Sequence, residues 1–507
     1  MKSLFKTVFL IVVFSFITRL FGFIFRIWLS RTIGAEALGI YQVSFSIFMV
    51  LLTIVASGIP LIVSRQTAKQ VMRKDKHTEH DIVSSSVIYS LILSVIISVI
   101  VLIFQNPISK IFADPRCIFI LIALLPALIF SSVYSSVRGN LWGRNNYLAT
   151  CSAELFEQIA RIIICVILLC GLFPQISGDM GAAISMSIAC ILSCIFVVVW
   201  YIRVGGKFVK PTYIKEIAKT STPITLMRVA SSLIQPVIAL VIPFRLVSAG
   251  YTNSQALSLY GIASGMTMPL LFIPMTVIGS LSYALVPDLA GASANKDENY
   301  IKSRITSSLN FSIFVSCLVI PIFIGAGENI GIFFFDNVTS GVLLSQSAWV
   351  ILPLCLTNIS SSILNSMGLE LKSFKNYIVG AICMLLCIWF LPKYIGIQSL
   401  IWAMGSCFTI SSILNIRMIK KQICNFSLKK YTLKSVLIII PCIAFTSFMS
   451  GILNNFIPLF FNLVISCSIG AITYLVLGLV FNTYKITNVI IWFKNSKIFK
   501  VKKKKQA

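Results

Sequence analysis

Apolar runs of about 20 residues recur from one end of the chain to the other, separated by short polar stretches. A run of that length crosses a ~30 Å hydrocarbon core as an α-helix. Fourteen are readable: 5–29, 38–62, 82–105, 117–137, 150–172, 179–202, 222–248, 256–285, 304–326, 341–367, 373–391, 397–419, 433–453 and 457–481. A membrane β-barrel would instead show ~10-residue segments of alternating polarity. The pattern predicts an all-α polytopic membrane protein of about fourteen transmembrane helices.

The spans repeat weakly. "ALGIY" (37–41) at the start of span 2 returns as "ALSLY" (256–260) at the start of span 8, and Leu125-Pro126 returns as Leu352-Pro353. Ser135-Ser136-Val137 matches Ser361-Ser362-Ile363, and "RNNY" (144–147) matches "FKNY" (374–377), all in the same order. Six spans repeated with one polarity imply a parallel repeat, two lobes related by an axis along the membrane normal. The division expected is an N-lobe at 1–210 (spans 1–6), a C-lobe at 211–424 (spans 7–12), spans 13 and 14 at 425–484, and a tail at 485–507.

Composition agrees. Of 507 residues, 57% are hydrophobic and 11% charged, against about 25% charged in ordinary soluble proteins. The mean hydropathy is +0.94. Charge then orients the spans. With the N-terminus inside, 33 of the 42 Lys and Arg fall in inside loops and termini, and only Arg31, Lys110, Arg116, Arg245 and Lys393 fall outside. That asymmetry places both termini in the cytoplasm. The net charge of +27 is therefore mostly topology, and the basic tail "KNSKIFKVKKKKQA" fits anionic lipid of the inner leaflet better than nucleic acid. The N-terminus imitates a secretory signal, but no small-residue cleavage site follows and the apolar run continues to about Leu29, so it reads as a retained first span.

Four arginines lie inside spans: Arg19, Arg26, Arg161 and Arg228. A charge near the bilayer centre costs roughly 2.5–3.5 kcal/mol, so each needs a compensating role. Arg19 falls about fifteen residues into span 1, near mid-membrane at 1.5 Å per residue. Arg26 follows seven residues later on nearly the same helical face, and Arg31 ends the span. Span 7 adds Arg228 in its inner half and Arg245 at its outer end. These five positions are the expected lining of a hydrated substrate cavity, where guanidinium forks suit an anion with several oxygens, phosphate above all. For Arg31 and Arg245, snorkelling to the headgroups is the competing reading.

Glu157 and Arg161 in span 5 stand four apart in the favourable acid-first order, as an internal ion pair or a gate. Glu154 and Glu157 are the only acids well inside a span, where an exporter of cations would hold more. Most of the fourteen cysteines sit in apolar runs, as small buried hydrophobes. His77 and His80, in a polar loop, give only a weak metal signal. Prolines at 60, 126, 236, 269, 274, 287, 321 and 353 bend or loosen spans. No catalytic constellation, metal site or cofactor is expected, and the chain does not read as an enzyme.

The stretches "TRLFGF", "ALGIYQ", "SGIPLIVSRQTAK", "RGNLWGRNNYLATCSAELFEQIARI" and "LYGIASGMTMPLLFIPMTVIGSLSYALVP" resemble the stage V sporulation protein B family, over about residues 5–425. That family sits in the multidrug/oligosaccharidyl-lipid/polysaccharide exporter superfamily beside the MurJ-type lipid II flippases. The resemblance implies a V-shaped, two-lobe flippase of undecaprenyl-diphosphate-linked sugars, acting in peptidoglycan, spore-cortex or surface-polysaccharide synthesis in the bacterial cytoplasmic membrane. It maps the MurJ-type span 1 arginines onto Arg19 and, with a one-residue spacing difference, Arg26. The MurJ-type arginines of spans 8 and 2 fall near Gly265 and near Leu52 or Thr53, where this chain has none, which favours the sporulation branch. The alternatives are an exporter of small amphipathic compounds on the same fold, and a non-transporting scaffold for cell-wall synthesis proteins.

Overall fold

Each expected apolar run coincides with a helix. The computed structural model describes residues 2–172, 176–294, 297–423, 429–481 and 483, and every regular element among them is helical. The basic tail beyond 484 and Lys296 lie outside the described residues. Among the described residues, eleven helices are long and apolar enough to cross a membrane, or up to twelve if one bent pair counts as a single span. The shortfall from fourteen has physical causes. Spans 1 and 2 run on as one helical stretch, and the span 5 helix carries Glu154, Glu157 and Arg161, more charge than a free-standing span tolerates.

Contacts divide the chain into two units, Met1–Gly265 and Met266–Ala507. The first holds α1 (Lys2–Ala56), α2 (Ile59–Arg73), α3 (Lys76–Ile103), α4 (Gln105–Ser109), α5 (Arg116–Gly143), α6 (Tyr147–Ile167), α7 (Gly178–Arg203), α8 (Ile214–Ser232), α9 (Ile234–Ser248) and α10 (Asn253–Gly261). Span 7 and the start of span 8 thus pack with the first unit, because α8, α9 and α10 lie against α1. Two expected loops are helical. The 30–37 turn is made by Gly34 alone, whose φ of 78° and ψ of 175° belong to a region open essentially to glycine. The basic loop at 65–76 is largely α2, which buries Ile59, Ile62, Val63 and Thr67 and ends on Lys74 in the left-handed conformation.

This unit's core joins Val63, Val83, Val137, Leu141, Val197 and Tyr201 from four helices. Beside it α3 presents a buried serine face to α5. Ser90 Oγ donates to the Ser132 carbonyl at 3.2 Å, and the Ser94 and Ser132 hydroxyls stand 3.4 Å apart. Small hydroxyl residues let helices approach closely where lipid supplies no hydrophobic drive.

The second unit holds α11 (Met268–Leu271), α12 (Ile273–Ala294), α13 (Glu298–Gly325), α14 (Gly327–Phe335), α15 (Val338–Ser347), α16 (Ile351–Ser366), α17 (Glu370–Phe390), α18 (Pro392–Ile395), α19 (Gln398–Gln422), α20 (Lys429–Leu453) and α21 (Leu459–Val480). Spans 13 and 14, which are α20 and α21, pack on α13. A Cβ on Gly325 would come 2.7 Å from Thr446, and one on Gly470 would meet the same threonine. Asn329 of α14 ties this corner together, donating to Ser450 Oγ at 2.9 Å and to Asn454 Oδ1 at 3.0 Å. Several expected helix-bending prolines prove benign: Pro60 and Pro269 occupy first helical turns, where no backbone N–H is missed. Pro126 and Pro321 lie inside α5 and α13, each removing one backbone donor from a helix that continues through it.

Candidate functional site

The arginines of α1 sit in different surroundings. Arg19 is exposed, beside the exposed Phe16, Leu20 and Phe21. Arg26 is half-buried against α6, in electrostatic reach of Arg161 and the buried Tyr41. Arg31 is exposed at the end of the same run. Gly22 of α1 faces α6, and a Cβ there would lie 3.5 Å from the Gln158 amide, an ordinary van der Waals contact.

Arg161 follows Gln158 by three residues on α6. Its Nη2 donates to Gln158 Oε1 at 2.5 Å, and its guanidinium lies 5.9 Å from the Phe25 ring centroid. The expected partner Glu157 is only a loose one, at 3.9 Å. One turn earlier, Glu154 pairs with Arg138 of α5 at 3.2 Å, and Arg138 stacks 4.2 Å over the Trp142 ring. The result is a chain of charges through the unit, Arg138, Glu154, Glu157, Arg161 and Arg26, with more guanidinium than carboxylate. Arg138 Nε, Arg161 Nε and Tyr134 Oη are buried without a hydrogen-bond partner. Buried donors left over in this way mark a place for water or an anion.

Span 7 carries its arginines on α8 and α9. Arg228 is exposed, and its Nη1 donates to the Ser57 carbonyl at 2.5 Å. That carbonyl belongs to the α1–α2 break, where an unpaired helix-end acceptor welcomes a cation. The fit is close, since a Cβ on the neighbouring Gly58 would lie 2.5 Å from Thr225 Oγ1. Arg245 is half-buried in the last turn of α9, also a position favourable for a cation. The absence of an arginine at 265 has a steric reason: any Cβ there would come 2.5 Å from Leu38 of α1.

Two polar networks joined by contacts distant in sequence escaped sequence reasoning. In one, Asp81 at the start of α3 accepts from the Thr212 backbone N–H at 2.8 Å and from the Thr212 hydroxyl. Ser84 and Ser85 accept from the backbone N–H groups of Val209 and Tyr213 at 2.9 and 3.0 Å. The 204–213 linker is thus strapped to α3, and Arg144 holds its start through the Val204 carbonyl at 3.0 Å. Arg144 also pairs with Glu79, which accepts from Asn140 at 2.8 Å. In the other network, Arg116 bridges Asp114 and Glu36, and Ser254 donates to Glu36 at 2.6 Å. Local periodicity carries no trace of either; the one hint is the run of polar residues "EHDIVSSS" at a helix start.

With this architecture in hand, the comparisons are decisive at the family level. The family described as "Polysaccharide biosynthesis protein" matches residues 4–293, more than half of the chain. The chain belongs to the polysaccharide biosynthesis protein family. Among relatives of this family member is stage V sporulation protein B of Bacillus subtilis (strain 168), 23% identical over 507 residues, covering 96% of each chain. The uncharacterized membrane protein YabM of the same organism is 23% identical over 467 residues, covering 88% of this chain and 84% of its own. Among solved structures, the lipid II flippase MurJ in an inward closed conformation superposes with a TM-score of 0.72 at 15% identity, over 93% of this chain and 98% of its own. An inward-facing multidrug resistance MATE family transporter of the MOP superfamily superposes with a TM-score of 0.66 at 15% identity, over 80% and 94%. The fold is shared with these two solved structures, and the family member is a multi-pass membrane protein of the polysaccharide biosynthesis protein family.

Proposed function

We infer that this family member translocates polyprenyl-diphosphate-linked sugars, lipid II-like intermediates, across the bacterial cytoplasmic membrane by alternating access between six-span lobes at 1–210 and 211–424. The observation carrying the reading is an excess of guanidinium groups on α1, α5 and α6 within the apolar first unit, with buried donors to spare. The diphosphate docks on Arg19, Arg26 extends that basic face, and Arg31, Arg228 and Arg245 add positive potential nearer the ends of their spans. The Glu157–Arg161 pair acts as a gate beside Arg26. The prenyl tail stays in lipid and the sugars pass through water. The basic tail meets anionic lipid, both termini are cytoplasmic, and the product serves cell-wall, spore-cortex or surface-polysaccharide synthesis. Membrane potential assists, because one charge crossing 100 mV is worth ~2.3 kcal/mol.

The test is a flipping assay in proteoliposomes with fluorescent lipid II and, in parallel, a polysaccharide-type lipid precursor. Arg19→Ala should abolish transport at unchanged protein level, since deleting an intramembrane charge eases insertion of the span. Arg19→Lys should keep partial activity, retaining charge but losing the bidentate fork, and Arg31→Ala should be mildest. Wild-type flipping by Arg19→Ala removes the site. Failure of the wild-type protein to move either lipid, with export of small amphipathic compounds instead, would place it with the multidrug branch; failure of all transport would leave the scaffold reading.

A further inference from the structure

Within the second unit, Gln346, Trp349, Gln398, Ile401 and Trp402 line a cleft of about 440 Å³. Trp349 belongs to the 3₁₀ turn Ala348–Val350 after α15, and Gln398 and Trp402 to the first turn or so of α19. The two indole rings stand 5.4 Å apart, tilted by 48°, and remain 36% and 55% exposed. Glycine at 405 is what seats Trp349, since a Cβ there would lie 1.9 Å from its Cη2. Both glutamines are exposed, and among the described residues neither amide is engaged within the chain.

We propose that this cleft is a saccharide subsite taking the neutral, N-acetylated sugar portion of the carried headgroup, a proposal that rests on the flippase reading. A pyranose offers an apolar C–H face edged by hydroxyl groups. Tilted indoles supply matching apolar platforms with an N–H at the edge, and side-chain amides supply both donors and acceptors. No charged residue lines the cleft, so its chemistry suits the sugar rather than the diphosphate. Its size falls in the ~300–1,000 Å³ range of small-molecule sites. Gln398 opens α19 and Trp402 follows four residues on, roughly 6 Å deeper at 1.5 Å per residue. The asymmetry of basic loops puts that end of spans 10 and 12 outside. A headgroup that has crossed would rest there.

The competing occupant is lipid, because tryptophan at such a depth also serves as an interfacial anchor. Full-length protein in nanodiscs, titrated with the soluble disaccharide of N-acetylglucosamine and followed by calorimetry, separates the two. Wild type should bind the disaccharide in preference to mannitol. Trp402→Ala should weaken binding by about 10-fold or more, consistent with loss of one aromatic platform. Trp402→Phe should restore most of it, and Gln398→Ala should weaken it less. Equal binding by wild type and Trp402→Ala, or quenching of Trp402 by brominated phospholipid that the disaccharide does not relieve, overturns the proposal. Wild-type flipping without disaccharide binding would remove the subsite and leave the flippase reading standing. Disaccharide binding without flipping would do the reverse.

Discussion

Arg161 shows how far residue-level reading reaches into this protein. The i, i+4 spacing pointed to Glu157, yet the shorter contact is to Gln158, three residues back, and Phe25 of α1 covers the guanidinium. Helical spacing states which side chains are neighbours on one helix; it is silent on the ring from another helix that decides which rotamer is filled. Gly34 is the opposite case, because a single residue's backbone dictates the shape around it. Its φ of 78° with ψ of 175° turns the chain between two transmembrane stretches, and nothing lies within 4 Å of a Cβ placed there. Substitution therefore acts through backbone strain alone, without a clash. Gly34→Ala should cost roughly 1–3 kcal/mol, read as a lowered midpoint in thermal unfolding of the detergent-purified protein. An unchanged midpoint would mean that the turn relaxes at no cost. Gly39 behaves differently: its missing Cβ would sit 2.0 Å from the Leu257 carbonyl oxygen, so there the space itself is taken by α10.

At the scale of elements, each expected apolar run falls on a helix, because hydrocarbon thickness fixes how long a crossing helix must be, although only eleven or twelve of the described helices qualify as spans. What apolar length misjudged were the connections. Residues 65–73 and 327–335 are polar or glycine-rich enough to pass for loops, but α2 and α14 bury one face each and so remain helical. The strap of the 204–213 linker onto α3 was also invisible, since Asp81 and Thr212 are far apart in sequence and neither belongs to a periodic pattern. That strap makes a prediction. Asp81 accepts both the backbone N–H and the hydroxyl of Thr212, so Asp81→Ala strands a backbone donor and frees the middle of the linker, while Ser84 and Ser85 still hold Val209 and Tyr213. Lys207 and Lys210 are exposed. Limited trypsin digestion of the purified variant should cleave after Lys207 several-fold faster than in wild type, while Pro211 protects the bond after Lys210, with Asp81→Asn intermediate because it keeps an acceptor. Equal cleavage rates would show that the two serines and Arg144 suffice.

For the whole molecule, the superfamily fold was legible from span count, weak internal repeat and resemblance together, and the structural neighbours agree with it. The charge-based orientation asks for its own experiment. Thirty-three of 42 basic residues lie on one side of the proposed topology, a bias that in membrane proteins marks the cytoplasm. Single cysteines report it if their positions are open to reagent. Asn253 opens α10 on the side assigned outside and is exposed, and Lys207 is exposed in the strapped linker on the side assigned inside. The loop after span 9 offers Asn329 by sequence, but its side chain is buried in the hydrogen-bonded corner with Ser450 and Asn454, so the exposed Asp336 is the better reporter. Cys170 is exposed near the outer end of span 5 and must first be changed to serine. In that background a membrane-impermeant maleimide on intact cells should label Asn253→Cys and Asp336→Cys, and should label Lys207→Cys only after the membrane is opened. Labelling of Lys207→Cys on intact cells would invert the topology. It would also move the tryptophan cleft to the cytoplasmic side, where a headgroup would be received before crossing and not released after it.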